Sequence, residues 1–243
     1  MRFTLSSSLL NSQLQTLSKV INSKNSLPIL DCILFEVGEG QLTLTASDKE
    51  NVMTIVLALD ACEGAGAFAL PKTTVIDAVK ELPEQPLTFD VKEDTLALTI
   101  TYQNGMYQFV AQNAEEFPKA KSLSDDAAKL TMDVTMLADN LTRSLFATAQ
   151  DELRPVMNGI YFDLTPDCLA IVASDGHKLV RNRNFEVKSE APASFILPSK
   201  PAALLKLMTG KAEGDADVSV DSNNACFTIA NATLTCRLIE GRY

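Results

Sequence analysis

Histidine occurs once in this chain of 243 residues, at position 177, and it follows Ser174 and Asp175. Serine, aspartate and histidine are the ingredients of nucleophilic acyl transfer. Working triads, however, are assembled across space, and near neighbours on one short stretch do not line up for proton relay. The pair recurs as Ser47-Asp48 with no histidine behind it, so a structural turn explains it better than a hydrolase does. Asp48 and Glu50 bring two carboxylates together, too few ligands to argue for a metal. The cysteines are Cys32, Cys62, Cys168, Cys226 and Cys236, odd in number and never spaced as Cys-X-X-Cys. With a single histidine beside them, a zinc site is disfavoured and reduced, buried thiols are expected. The chain has no Walker-type phosphate loop, which removes an ATPase from consideration. No catalytic residue and no cofactor is therefore predicted.

Lysine is the other chemistry-bearing residue. Four segments read as helical, 7–24, 72–82, 135–148 and 199–211. They carry Lys19, Lys24, Lys72, Lys80, Arg143, Lys200, Lys206 and Lys211 against Asp77, Glu81 and Asp139, a balance of +5. The rest of the chain holds −15, within a total of −10. Net charge averages over a surface, and its distribution decides where a polyanion can approach. Cations without base-reading partners give affinity that ignores sequence and falls with salt. The plainer alternative is a solvated helix face in a two-domain interaction module that has no dealings with DNA.

The elements that must position these groups come twice. Pro28 precedes Asp48 by the same distance as Pro155 precedes Asp175, and the two prolines lie 127 residues apart. At that offset Phe3-Thr4-Leu5 falls on Leu130-Thr131-Met132, Ile33 and Phe35 on Ile160 and Phe162, and Ala46-Ser47-Asp48 on Ala173-Ser174-Asp175. Phe68, Leu70 and Pro71 fall on Phe195, Leu197 and Pro198. The period exceeds that of solenoid repeats, so two copies of one compact domain are expected, at 1–121 and 129–243.

In copy one, Leu9, Leu10, Leu14, Leu17 and Ile21 give a helical stripe over 7–22, capped by one of Ser6, Ser7 or Ser8. A second helix is predicted over 72–82, opened by Pro71 in its first turn. Strands are predicted over 3–5, 29–37, 41–46, 52–59, 66–70, 87–91, 95–102 and 106–111, the last two joined through Asn104-Gly105. Copy two repeats the order, with helices over 135–148 and 199–209 and strands over 130–134, 157–164, 168–173, 178–187, 193–197, 217–221, 225–230 and 233–239. Many antiparallel strands with two helices per copy define an α+β class. Apolar residues make up 46% of the chain, enough for a core in each copy. No apolar run approaches the ~20 residues that span a bilayer, and the N-terminus lacks the apolar run of a signal peptide. A cytoplasmic protein without a membrane partner is expected.

These features resemble one family, the bacterial sliding clamp, which is the β subunit of DNA polymerase III. The resemblance is carried by Met1-Arg2-Phe3-Thr4-Leu5, Leu27-Pro28-Ile29-Leu30, Leu42 to Asp48, Phe117-Pro118, Met157-Asn158-Gly159-Ile160 and Leu238 to Tyr243. Its most specific stretch is Ser174-Asp175-Gly176-His177-Lys178-Leu179. It covers the whole chain but only two of the family's three domains, and a third copy is expected after Tyr243. It implies a tandem repeat of clamp domains, each with antiparallel sheets outside and two helices on the inner face. It further implies a non-catalytic DNA-replication processivity factor, a ring-shaped homodimer when full length, that encircles double-stranded DNA without reading it. This shorter chain is expected to be mostly monomeric.

By the same resemblance Lys24 matches a DNA-contacting position after the first helix, Lys72 and Lys80 belong to the second, and Lys200 and Lys206 to its counterpart. The resemblance also implies a hydrophobic groove where the replicative polymerase and clamp-loader subunits dock a linear peptide. Its residues here are Arg154, Met157, Ser174, Gly176, His177, Lys178 and Leu179, with Arg242 close by. Lys178 stands where the family often has Arg, and Ser174 where it often has Thr. The other half of the groove belongs to the third domain.

Overall fold

A computed structural model describes residues 1–187, 192–210 and 212–243. It divides into two compact units, Met1–Lys119 and Ala120–Tyr243.

The first unit opens with β1 (Arg2–Ser6) and α1 (Ser7–Leu17), followed by β2 (Cys32–Gly38), β3 (Gln41–Ser47), β4 (Asn51–Ala58), β5 (Ala61–Glu63) and β6 (Gly66–Pro71). It continues with α2 (Lys72–Val79), β7 (Pro86–Val91), β8 (Ala97–Tyr102) and β9 (Gly105–Val110). All pairings are antiparallel. One sheet runs β5-β1-β7-β8-β9, and a second series runs β4-β3-β2-β6. Alternation along the strands sends Phe3, Phe35, Phe68 and Phe89 inward, each fully buried. Phe3 stacks on Phe89 at 4.7 Å, Phe35 stacks on Phe68 at 5.0 Å, and tilted contacts link the two pairs. The four rings thus tie strands of both sheets into one core.

The second unit repeats this plan. Its elements are β10 (Ala128–Asp133), α3 (Val134–Leu145), β11 (Gly159–Leu164), β12 (Leu169–Ser174), β13 (Leu179–Asn184), β14 (Ala193–Pro198), α4 (Ser199–Thr209), β15 (Asp215–Val220), β16 (Asn224–Ile229) and β17 (Ala232–Arg237). The strand orders are β10-β15-β16-β17 and β13-β12-β11-β14. They reproduce β1-β7-β8-β9 and β4-β3-β2-β6 in sequence of use. The repeat holds at the level of register: Phe35 faces Phe68 across one ladder and Phe162 faces Phe195 across the other. The lone bridge Ala69–Gln112 recurs as Ile196–Ile239. Positions matching β5 are 188–190, outside the described residues.

In each unit the two helices pack on each other and on the strands around them. Both leading helices are capped by a side chain at the matching position. Ser6 Oγ accepts the Leu9 N–H at 3.1 Å, and Asp133 Oδ1 accepts the Met136 N–H at 2.8 Å.

Several expectations change. The apolar stripe of 7–22 outruns its helix, because Val20 and Ile21 are buried from tightened turns after Leu17. Pro28–Asp31 is a 3-10 turn, with both Ile29 and Leu30 buried, instead of the start of a strand. Pro71 and Pro198 end strands and precede α2 and α4 at the cap, outside the first turn. The β8–β9 loop is Gln103-Asn104. Gly105 already pairs with Tyr102, whose hydroxyl lies 2.7 Å from where a Cβ would stand. The thiols are free, but only Cys32 and Cys236 are buried. Cys62, Cys168 and Cys226 are half-buried, on a sheet edge, in a turn and on the outward side of β16.

Candidate functional site

The Ser174–Lys178 segment links β12 to β13 and closes on itself. Asp175 Oδ1 accepts the backbone N–H of Lys178 at 2.7 Å and of His177 at 2.9 Å. These bonds, with the Lys178 ammonium 3.0 Å from Oδ2, hold the Asp175 carboxyl well below the usual carboxylate range. Ser174 Oγ donates to the Lys178 carbonyl at 2.8 Å and accepts from the Gly176 N–H at 3.1 Å. Aspartate and serine are therefore committed to backbone groups of the turn, and a Ser-His-Asp relay is not assembled.

The first unit has the same turn. Asp48 Oδ1 accepts from Glu50 and Asn51, and Ser47 Oγ accepts from Lys49. The twin of Gly176, which has φ +89°, is Lys49, with φ 81°. A Cβ at Gly176 would stand 2.9 Å from Arg154 Nη1, whereas Leu27 occupies the position of Arg154 in the first unit.

Arg154 is held in turn. Its Nε donates to Asp151 Oδ2 at 2.8 Å. Asp151 exchanges hydrogen bonds with the Asn158 side chain, which closes the 151–158 loop. Met157 sits half-buried in a 3-10 turn, its N–H on the Arg154 carbonyl and its own carbonyl taking the Ala149 N–H at 2.8 Å. Leu179 opens β13 opposite Ser174 and is 70% exposed. The Lys178 ammonium bridges the turn to α3, 3.0 Å from both Asp175 Oδ2 and the Phe146 carbonyl, and lies over the Phe146 ring. That carbonyl belongs to the last turn of α3, where a cation is favoured. His177 and Arg242 are exposed. Gly241 packs on Val156, whose Cγ1 would meet a Cβ there at 2.7 Å.

The structure thus sets Ser174, Gly176, His177, Lys178 and Leu179 on one turn with Arg154 over Gly176, and Met157 follows Arg154 in the adjoining 3-10 turn. Sequence reading missed Phe146 and Leu153, exposed apolar residues of this region, and Tyr243. The Tyr243 hydroxyl accepts the Ser174 N–H at 2.7 Å, and its ring stacks on Tyr161 at 5.3 Å.

The lysines divide as well. Lys72 Nζ donates to the Ile21 carbonyl at 3.3 Å, and Lys80 pairs with Asp77 at 2.8 Å. Arg143 pairs with Asp139 at 3.4 Å. Lys24 and Lys206 are exposed, and Lys200 is half-buried. Within the four helices proper the charge is only +2, because Lys19, Lys24 and Lys80 follow helix ends. Lys211 lies outside the described residues.

Two units of one topology, each a pair of helices against antiparallel sheets, define the class of DNA-clamp folds. Residues 1–121 match the family model for the DNA polymerase III beta subunit, N-terminal domain, and residues 131–243 the one for its central domain. The chain belongs to the DNA polymerase III beta subunit family. It is 29% identical to the beta sliding clamp of Staphylococcus epidermidis over its whole length and 66% of the relative's. It superposes on the DNA polymerase III subunit beta of Pseudomonas aeruginosa with TM-score 0.92 at 24% identity, covering 100% of this chain and 66% of that one. A sliding clamp from Bartonella birtlesii, solved bound to griselimycin, gives TM-score 0.90 at 25% identity with the same coverage. The chain therefore spans 66% of the length of the relatives it matches.

Proposed function

We propose that this chain serves as part of a sliding clamp, a non-catalytic processivity factor that holds a replicative polymerase on duplex DNA without reading its sequence. The observation that carries this reading is the duplicated unit, with a helix pair in each copy, in a chain of the beta subunit family. Each helix pair faces the phosphates. Lys24 and Lys206, both exposed, are the main contacts, half-buried Lys200 adds to them, and Lys72 and Lys80 contribute less because a carbonyl and Asp77 already engage them. The protein acts in the cytoplasm, within a homodimeric ring.

The peptide site is the surface around the Ser174–Lys178 turn. Met157 and Leu179 offer the apolar floor, Gly176 permits close approach, and Arg154, His177 and Arg242 supply donors at the rim. Lys178 contributes by shaping the turn. Linear peptides of the polymerase and the clamp loader dock here, and the griselimycin complex of the Bartonella relative supports a ligand site on this fold.

Retention on circular duplex DNA, lost when the circle is cut, tests the topological part. The measurement uses the chain joined to the C-terminal third of the Staphylococcus epidermidis relative. Equal retention on cut and closed DNA would count against it.

A further inference from the structure

We infer that Tyr243 is a positioning residue for the peptide groove, its hydroxyl pinning the Ser174 backbone that carries the groove turn. This rests on the reading of that surface as the groove.

The ladder between β11 and β12 ends at Tyr161–Val172, two residues short of Ser174. The chain before β11 turns away through Pro155–Asn158. The Ser174 N–H on that side is taken by the Tyr243 hydroxyl at 2.7 Å. The phenol is fixed by a nearly parallel stack on Tyr161, 5° between planes. Burial raises the Tyr243 phenol above its ordinary range, so it stays an O–H at neutral pH. Ser174 is also where the turn is tied, through its Oγ bonds to Lys178 and Gly176. Pinning its backbone therefore fixes Gly176, His177 and Leu179 relative to Arg154 and Met157.

The twin copy supports a role tied to this site. The β2–β3 ladder ends at the matching pair, Leu34–Thr45, equally short of Ser47. The aromatic residue that closes that copy is Phe117, which is buried with Ile29, Leu30, Cys32 and Ala69 and has no hydroxyl to offer. Both copies seat an aromatic ring, but the hydroxyl belongs to the copy with the groove.

The test uses the chain joined to the C-terminal third of the Staphylococcus epidermidis relative, with Tyr243→Phe, which keeps the ring, and Met157→Ala as control, and griselimycin as the ligand. The expected result has three parts: faster amide exchange at Ser174, a melting temperature lowered by no more than the few degrees one hydrogen bond accounts for, and griselimycin binding weakened about five- to tenfold. Unchanged affinity in Tyr243→Phe alongside weakened binding in Met157→Ala overturns the positioning role and leaves the groove standing. Unchanged Ser174 exchange overturns it as well. If the fused chain without substitutions does not bind griselimycin, the groove reading fails and takes this inference with it.

Discussion

Phe35 stacks on Phe68 at 5.0 Å across β2 and β6, and 127 residues on Phe162 stacks on Phe195 at 4.8 Å across β11 and β14. The shared pair sits in two different surroundings. In the first unit Phe3 and Phe89 complete a four-ring cluster, whereas Leu130 and Ala216 stand at their places in the second. Phe35→Ala removes a fully buried ring with contacts to two others. It should cost about 3–5 kcal/mol of first-unit stability, the range for large core truncations. Urea melts followed by hydrogen exchange in each unit check this. A loss below about 1 kcal/mol would mean that the cluster is not the keystone its burial implies.

Lys24→Glu should weaken association with duplex DNA of any sequence. If Lys24 neutralises one phosphate, the slope of log affinity against log salt should fall by about 0.9 in Lys24→Ala. Lys80→Ala should change the slope less, since Asp77 already neutralises that ammonium. Fluorescence anisotropy over a salt series reads both. An equal effect of the two substitutions contradicts the assignment.

Met157→Ala and Leu179→Ala should each weaken griselimycin, by the ~1–3 kcal/mol of a truncated apolar contact, while the fold survives. Calorimetric titration of the chain joined to the C-terminal third of the Staphylococcus epidermidis relative measures it. Affinities matching the unmodified chain in both variants would remove these residues from the site.

Asp175 links this turn to pH. Its carboxyl is held below the ordinary range by the Lys178 and His177 N–H groups. A depressed carboxylate stabilises the fold above its unfolded pKa of about 3.9 and loses that contribution as pH falls toward the folded value. Asp175→Asn should therefore melt lower than the unmodified chain at pH 7, and the gap should narrow as the pH drops below about 5. Melting curves across that range decide it, and a gap that stays constant would show that the charge is immaterial.

The duplication was legible because the apolar positions that define it also define the ladders: Ile33, Phe35, Phe68 and Leu70 pair in β2–β6 as Ile160, Phe162, Phe195 and Leu197 do in β11–β14. Helix ends were less legible, since Val20 and Ile21 prolong a helical stripe from turns that bury them equally well. The region around the proposed groove could be located from the Ser174–Leu179 motif. Which cations stay available could not, because it depends on where long side chains swing. Lys72 reaches the Ile21 carbonyl and Lys178 the Phe146 carbonyl, partners 51 and 32 positions away. Tyr243 was read only as the end of the Leu238–Tyr243 stretch, since the value of its hydroxyl emerges once Ser174 is seen to lie beyond the end of its ladder.

Lys49 and Gly176 began as the same position in two identical turns. A left-handed residue with a side chain costs about 1 kcal/mol or more, so glycine suits both sites. At the second a guanidinium lies overhead, and any side chain there must displace the far end of Arg154. A side chain at Gly176 would therefore be felt twice, by a backbone held at positive φ and by an Arg154 head that has to give way.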